Sequence, residues 1–155
     1  MTLTDRFGRI HRDLRISLTD HCNLRCTYCM PAEGVPWLPR KTLLTPEELM
    51  RIVRVAVGEG IEEVRLTGGE PLLRPDCVAV VAAIASVEPR PEISITTNGI
   101  GLSRLAEALK QAGLARVNIS LDTLKPDRFH QLTRRNRLAD VLAGIAAADA
   151  AGVRP

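Results

Sequence analysis

Aromatic side chains are nearly missing from this 155-residue chain: Phe7, Tyr28, Trp37 and Phe129 are all it has. Four scattered rings cannot build a base-stacking platform or a membrane-interface belt, so the core must be aliphatic. No apolar run comes near the roughly 18 residues a membrane span needs, and the opening Met1-Thr2-Leu3-Thr4-Asp5-Arg6 lacks the apolar stretch of a signal peptide. Dense positive charge is missing too. The formal excess is only +3, and the arginines are scattered from Arg6 to Arg154 rather than gathered in a stripe. Neither nucleic acid nor a membrane is therefore expected as a partner. What remains is an ordinary composition, 45% hydrophobic and 25% charged, sufficient for one core. A cytoplasmic protein is the expectation. Its cysteines then stay reduced, and because Cys22, Cys26 and Cys29 fall within eight residues, they read as metal chemistry before disulfides.

Strand-like alternation marks residues 14–19, 63–67, 93–98 and 117–122, each followed by a helical pattern. Thr45-Pro46-Glu47-Glu48 supplies an N-cap, a proline at the first helical position and a capping-box glutamate. Leu49, Ile52, Val53, Ala56 and Val57 then share one helical face. Pro75 is expected to open a second helix with Cys77, Val80, Val81 and Ile84 inward, which makes Cys77 a core thiol. Ser103 is expected to cap a third, which carries Leu105 and Leu109 and ends at Gly113. A fourth helical region, 126–151, divides in two, with Leu138, Val141, Leu142 and Ile145 inward and Gly152 as the stop. Arg134-Arg135-Asn136-Arg137 reads as the solvated break between the two pieces. Four consecutive strand-helix units predict an α/β fold with a parallel sheet and helices outside it.

The strands alternate sharply. One parity is apolar (Leu14, Ile16, Leu18, Val64, Leu66, Ile93, Ile95, Val117, Ile119, Leu121), whereas the other holds Arg15, Ser17, Thr19, Arg65, Thr67, Ser94, Thr96, Asn98, Asn118, Ser120 and Asp122. An ordinary parallel barrel fills its interior with branched apolar layers, and an open doubly wound sheet buries both faces. An antiparallel sheet with one wet face would fit the alternation but not the helix in every connection. A partial barrel around a wet chamber fits both, and Arg15 and Arg65 on its wall suit phosphate or carboxylate.

Directly after the first strand comes Cys22-Asn23-Leu24-Arg25-Cys26-Thr27-Tyr28-Cys29-Met30-Pro31. The spacing would also place three thiols on one face of a buried helical turn, although polar neighbours and Pro31 oppose that. A zinc site with His21 as fourth ligand is a second alternative, weakened because zinc ligands usually come as separated pairs. Three thiolates on one loop with no obvious fourth suit three irons of a [4Fe-4S] cubane whose fourth iron stays open. His11 and His130 lie outside this loop, and Trp37, between Pro36 and Leu38-Pro39, reads as its packing anchor.

A three-cysteine loop with an aromatic before the last cysteine, placed after the first strand of a polar-lumen barrel, resembles the radical S-adenosylmethionine enzymes. The resemblance implies a [4Fe-4S] cluster held by Cys22, Cys26 and Cys29, with the methionine amino and carboxylate groups of S-adenosyl-L-methionine on the fourth iron. An electron donor must then reduce the cluster to release a 5′-deoxyadenosyl radical. It further implies that Thr67-Gly68-Gly69-Glu70-Pro71 holds the methionine moiety, with Tyr28, Gly69 and Ser120 as cofactor contacts. Longer stretches, residues 13–20, Met30-Pro31, Thr96-Thr97-Asn98-Gly99 and Ser120-Leu121-Asp122-Thr123-Leu124, look like the GTP 3′,8-cyclase family of molybdenum cofactor biosynthesis. That likeness implies hydrogen abstraction at the ribose C3′ of GTP, attack on C8 of guanine, and Arg15, Arg65 and Thr96 as GTP contacts. No catalytic residue is named by it, and it leaves a homodimer open for the full-length form.

The departure is length. Members of that family add further strand-helix units, a fifth-strand lysine and a second cysteine triad, none of which is present in residues 1–155. The expectation is an N-terminal part of the barrel, inactive toward GTP alone, with the strand at 117–122 left as an unpaired edge. Another radical enzyme, such as a peptide-modifying maturase, and a noncatalytic metal-binding module stand as alternatives.

Overall fold

The computed structural model describes residues 3–154, so Met1, Thr2 and Pro155, which belong to the expected start and end of the 1–155 unit, lie outside the described residues. Four strands, β1 (Asp13–Ser17), β2 (Glu63–Thr67), β3 (Glu92–Thr97) and β4 (Arg116–Ile119), form one parallel sheet in sequential order. Between and after them run α1 (Pro46–Gly58), α2 (Cys77–Ala85), α3 (Leu102–Ala112), α4 (Pro126–Thr133) and α5 (Leu138–Ala150). When each crossover steps in the same direction with the same hand, every helix lands on one face of the sheet. The expected α/β architecture, a partial barrel wall, is what forms. Among the described residues, no helix is long and apolar enough to cross a membrane.

The apolar parity drives this arrangement. Ile16, Val64, Leu66, Ile93, Ile95 and Val117 join one core with Leu49, Val53, Val81, Ile84, Leu102 and Leu109 from the helices. Cys77 is buried within it, as expected of a core thiol, and burial pushes its pKa up to about 12. A second, smaller cluster of Leu24, Ile100, Phe129, Leu138 and Val141 sits near the C-terminal ends of the strands. The polar parity is left on the other face, where Arg15, Ser17, Asn118 and Ser120 are exposed.

Local signals hold at α1, where Thr45 Oγ1 accepts from Glu48 N and the Glu48 carboxylate from Thr45 N, a complete capping box. Several expectations need correction. The second helix begins at Cys77 rather than Pro75, because a short 3-10 turn at Pro71–Leu73 takes up the chain first. The third is preceded by Gly101 at φ +90 instead of being capped by Ser103, which lies inside its first turn. On α1 it is Met50, not Ile52, that turns inward, since Leu49, Met50, Val53 and Val57 define the buried stripe.

On α5, Leu142 and Ile145 face out, and the inner face is Val141, Gly144 and Ala148. The reason is steric. A Cβ on Gly144 would stand 2.3 Å from the Gly99 carbonyl oxygen, so α5 settles on the turn after β3 through its narrowest face. Leu142 and Ile145 instead line an open apolar groove of about 500 Å³ with Val117, Ile119 and Val153. The β4 edge is not bare either: Val117 N donates to Arg154 O at 2.8 Å, and residues 116 and 154 form a parallel bridge.

Gly144→Ala should therefore destabilise the chain by about 1–3 kcal/mol through overpacking. Gly58→Ala, at a helix end where an added Cβ meets nothing within 4 Å, should instead stabilise it by about 0.4–1 kcal/mol. Urea denaturation of both variants checks the pair.

Candidate functional site

The cysteine loop leaves β1 and is fastened to α4. Arg25 N donates to Thr133 O at 3.0 Å and Thr27 N to Leu132 O at 2.8 Å, so loop amides occupy the last carbonyls of the helix. Arg134, at φ 56 just past that helix, sends Nη1 to the carbonyls of Arg25 (3.0 Å) and Met30 (3.3 Å). The solvated break expected at 134–137 is thus half right: it separates two helices, but Arg134 is a staple beneath the loop. Leu24 drops into the smaller core, while Arg25 Nη1 bonds the carbonyls of Cys22 and Leu24, both at 2.8 Å. Trp37 is the anchor expected of it, stacked on His21 with ring centroids 5.0 Å apart and covered by the Arg25 guanidinium at 5.2 Å.

Cys22 and Cys26 are half-buried and Cys29 is exposed. Burial raises the pKa of both half-buried thiols, opposed at Cys22 by the Leu24 amide, whose N lies 3.5 Å from Sγ, and at Cys26 by the Tyr28 hydroxyl. Tyr28 is 67% exposed and donates to Asp122 Oδ2 at 2.7 Å, a bond that raises its own pKa. Tyr28 is thereby linked to the segment just beyond β4, next to Ser120, whose amide donates to Thr97 O at 2.9 Å. Among the described residues, no three His, Cys, Asp or Glu side chains converge as ligands of one metal ion. His21, the zinc-site alternative's fourth ligand, is taken up by Trp37 and lies 3.8 Å from Asp20. Three thiols on one loop, within electrostatic reach of one another, are a donor set of the kind that holds an iron-sulfur cluster.

The loop after β2 lies against the start of the cysteine loop. A Cβ on Gly68 (φ +150) would meet Thr19 O at 2.4 Å and one on Gly69 would meet Asp20 O at 2.3 Å, so only glycine permits this approach. Gly69 N donates to Thr19 O and Glu70 N to His21 O, each at 2.7 Å. The Gly69 backbone remains exposed, and no donor among the described residues bonds its carbonyl.

Sequence reading gave Glu70 no role of its own, yet it is 0% exposed. Its carboxylate accepts from Thr97 Oγ1 (2.7 Å), Asn98 N (2.7 Å) and Leu72 N (3.0 Å). Burial raises its pKa while those three donors oppose the rise. Asn98 Nδ2 then reaches Asn23 Oδ1 at 2.7 Å, inside the cysteine loop. Three loops are joined through two buried side chains, Glu70 and Asn98.

Further down the polar face, Arg15 is the register partner of Arg65, Arg65 of Ser94, and Ser94 of Arg116. Thr96 pairs with Asn118. The expected substrate positions thus lie on one wall beneath the cysteine loop. Arg116 was missed because the fourth strand was read from residue 117, one position late. Glu63 was missed as the first residue of its strand. Its carboxylate oxygen Oε1 lies 3.2 Å from Arg65 Nη2, 2.9 Å from Arg116 Nη2 and 2.9 Å from Ser94 Oγ. Burial would raise the Glu63 pKa, but bonds from Ser94 and Arg65 and the charge of Arg116 hold it below its usual value.

Comparison with known proteins places the chain. It is 62% identical over 154 residues to the GTP 3′,8-cyclase of Streptomyces coelicolor, covering 99% of this chain and 45% of that one. The GTP 3′,8-cyclase of Mycolicibacterium smegmatis is 61% identical, with 99% and 43% covered. The chain thus spans less than half the length of these relatives. Among solved structures, Streptococcus suis SuiB bound to S-adenosylmethionine superposes with a TM-score of 0.72 at 23% identity, covering 92% of this chain and 32% of that one. The [FeFe]-hydrogenase maturase HydG gives 0.70 at 16% identity, with 91% and 33% covered. The family model described as the radical SAM superfamily matches residues 16–155. On that match, and with a three-cysteine loop seated at the mouth of a polar-faced β/α wall, the chain belongs to the radical SAM superfamily.

Proposed function

We propose that this chain contributes the cluster-binding and phosphate-binding wall of a GTP 3′,8-cyclase. The observation that carries the reading is identity near 60% to GTP 3′,8-cyclases across 99% of the chain. Cys22, Cys26 and Cys29 would hold the [4Fe-4S] cluster. Tyr28, Gly69 and Ser120, which border the same mouth, would contact S-adenosyl-L-methionine, with the free Gly69 carbonyl suited to an ammonium group. When bound, the cluster and S-adenosyl-L-methionine supply a carbon radical that abstracts hydrogen, chemistry no side chain here can perform.

The protein's own part is positional. Arg15 and Arg65 would grip the triphosphate, which carries about four negative charges and suits bidentate guanidinium contacts. Thr96, one row nearer the mouth, would bond the nucleoside and so set the ribose below the cluster. Glu70 keeps the three loops at the mouth in a fixed relation, and a group placed to within a fraction of an ångström is what selective abstraction at one carbon requires. An external one-electron donor and a cytoplasmic setting go with this reading.

Anaerobic reconstitution with iron and sulfide should load about four irons per chain. Cys77→Ser should leave that number unchanged, because Cys77 is buried in the helix-side core. One zinc per chain with no sulfide, or iron lost in the Cys77 variant, would refute the cluster assignment. In a full-length relative, Arg15→Ala and Arg65→Ala should each weaken GTP use about tenfold to a hundredfold, the worth of a charge-assisted contact. Reductive cleavage of S-adenosyl-L-methionine should persist in both, since neither arginine lies in the cysteine loop. Unchanged GTP kinetics in both variants would contradict the phosphate role.

A further inference from the structure

The polar wall carries more positive charge than Arg15 and Arg65, and a carboxylate manages it. The register puts Arg15, Arg65, Ser94 and Arg116 in a single row across all four strands. Glu63 belongs to the adjacent row but reaches into this one. A single oxygen, Oε1, serves Ser94 Oγ at 2.9 Å, Arg65 Nη2 at 3.2 Å and Arg116 Nη2 at 2.9 Å. Arg116 is further steadied by Glu92, whose Oε1 lies 2.5 Å from its Nε. Two observations point to a ligand. Arg65 Nε is buried without a hydrogen-bond partner, and among the described residues Arg15 makes no ion pair.

We infer that Arg116 is a third arginine of the anion-binding wall, and that Glu63 is a resident counter-charge which orients Arg65 and Arg116 and which an incoming anion must displace from them. The inference rests on the reading of this wall as a phosphate site and deepens it to a specificity rule. Displacing Glu63 costs the anion two existing ion pairs. A single phosphate, carrying up to two charges near neutral pH, regains little by comparison. A polyphosphate long enough to meet Arg15, Arg65 and Arg116 together regains all three contacts. Glu63 thereby selects for the length and charge of a phosphate chain, a task that arginines alone would perform poorly because they attract any anion.

The test is calorimetric titration of the 155-residue chain with inorganic tripolyphosphate and with inorganic phosphate, without iron or S-adenosyl-L-methionine. Arg116→Ala should weaken tripolyphosphate binding about tenfold or more, whereas Arg104→Ala, on α3, should leave it unchanged. Glu63→Gln keeps the side chain's shape and removes its charge. It should tighten tripolyphosphate about tenfold and bring inorganic phosphate binding into the measurable range. Glu62→Gln, which removes an equal charge from the neighbouring residue paired with Arg12, should do neither. Absence of tripolyphosphate binding, an unchanged Arg116→Ala, weaker binding in Glu63→Gln, or equal tightening in Glu62→Gln would each overturn the inference. A misfolded variant cannot imitate the gain expected of Glu63→Gln. Because no cluster is involved, the inference can fail while iron loading succeeds, or hold while iron loading fails.

Discussion

Everything at the mouth of this wall depends on one buried carboxylate. Glu70 receives donors from the turn it begins and from the end of β3, and Asn98 extends the chain of bonds to Asn23 in the cysteine loop. A carboxylate without exposed surface is costly unless its lone pairs are occupied, and here three donors occupy them. The interdependence is tight. Removing the carboxylate would strand the Thr97 hydroxyl and two backbone amides in the interior, while removing Asn98 would cut the only side-chain bond from this network to the cysteine loop among the described residues. Loops that would otherwise move independently behave as one surface.

That carboxylate works because glycine clears the ground for it. With Gly68 and Gly69 packed against the carbonyls of Thr19 and Asp20, the chain enters Glu70 already within reach of β3. Paired glycines before a helix are common turn-makers, so the pair alone does not disclose this role. Its meaning lies in what it lets the next residue do.

The α/β architecture was legible because two periodicities coexist in the sequence: strict alternation in four strands and the 3.6-residue repeat in the helices between them. The polar wall was legible for the same reason, since parity assigns Arg15, Arg65 and Thr96 to one face without any coordinates. Helix faces were read less well, because hydrophobicity does not say which apolar residues a helix will bury. Gly144 decides that for α5, and it does so by being small, a signal that any hydrophobic pattern passes over. Glu70, Glu63 and Arg134 were missed on other grounds. Each acts across long sequence separations, Arg134 on Arg25 and Glu70 on Asn98, so their partners become visible only when the chain has folded.

The seating of the cysteine loop on α4 has a thermodynamic side. An eight-residue helix is too short to hold itself together in water, and its last carbonyls need partners. Those partners are the amides of Arg25 and Thr27, more than a hundred residues earlier in the chain. Helix and loop therefore support each other, and by linkage the free energy with which a ligand-stabilised loop favours α4 equals that with which an ordered α4 favours the ligand. Protection of α4 amides against hydrogen exchange is thus a remote gauge of occupancy at the cysteines, read from a helix that contains none of them.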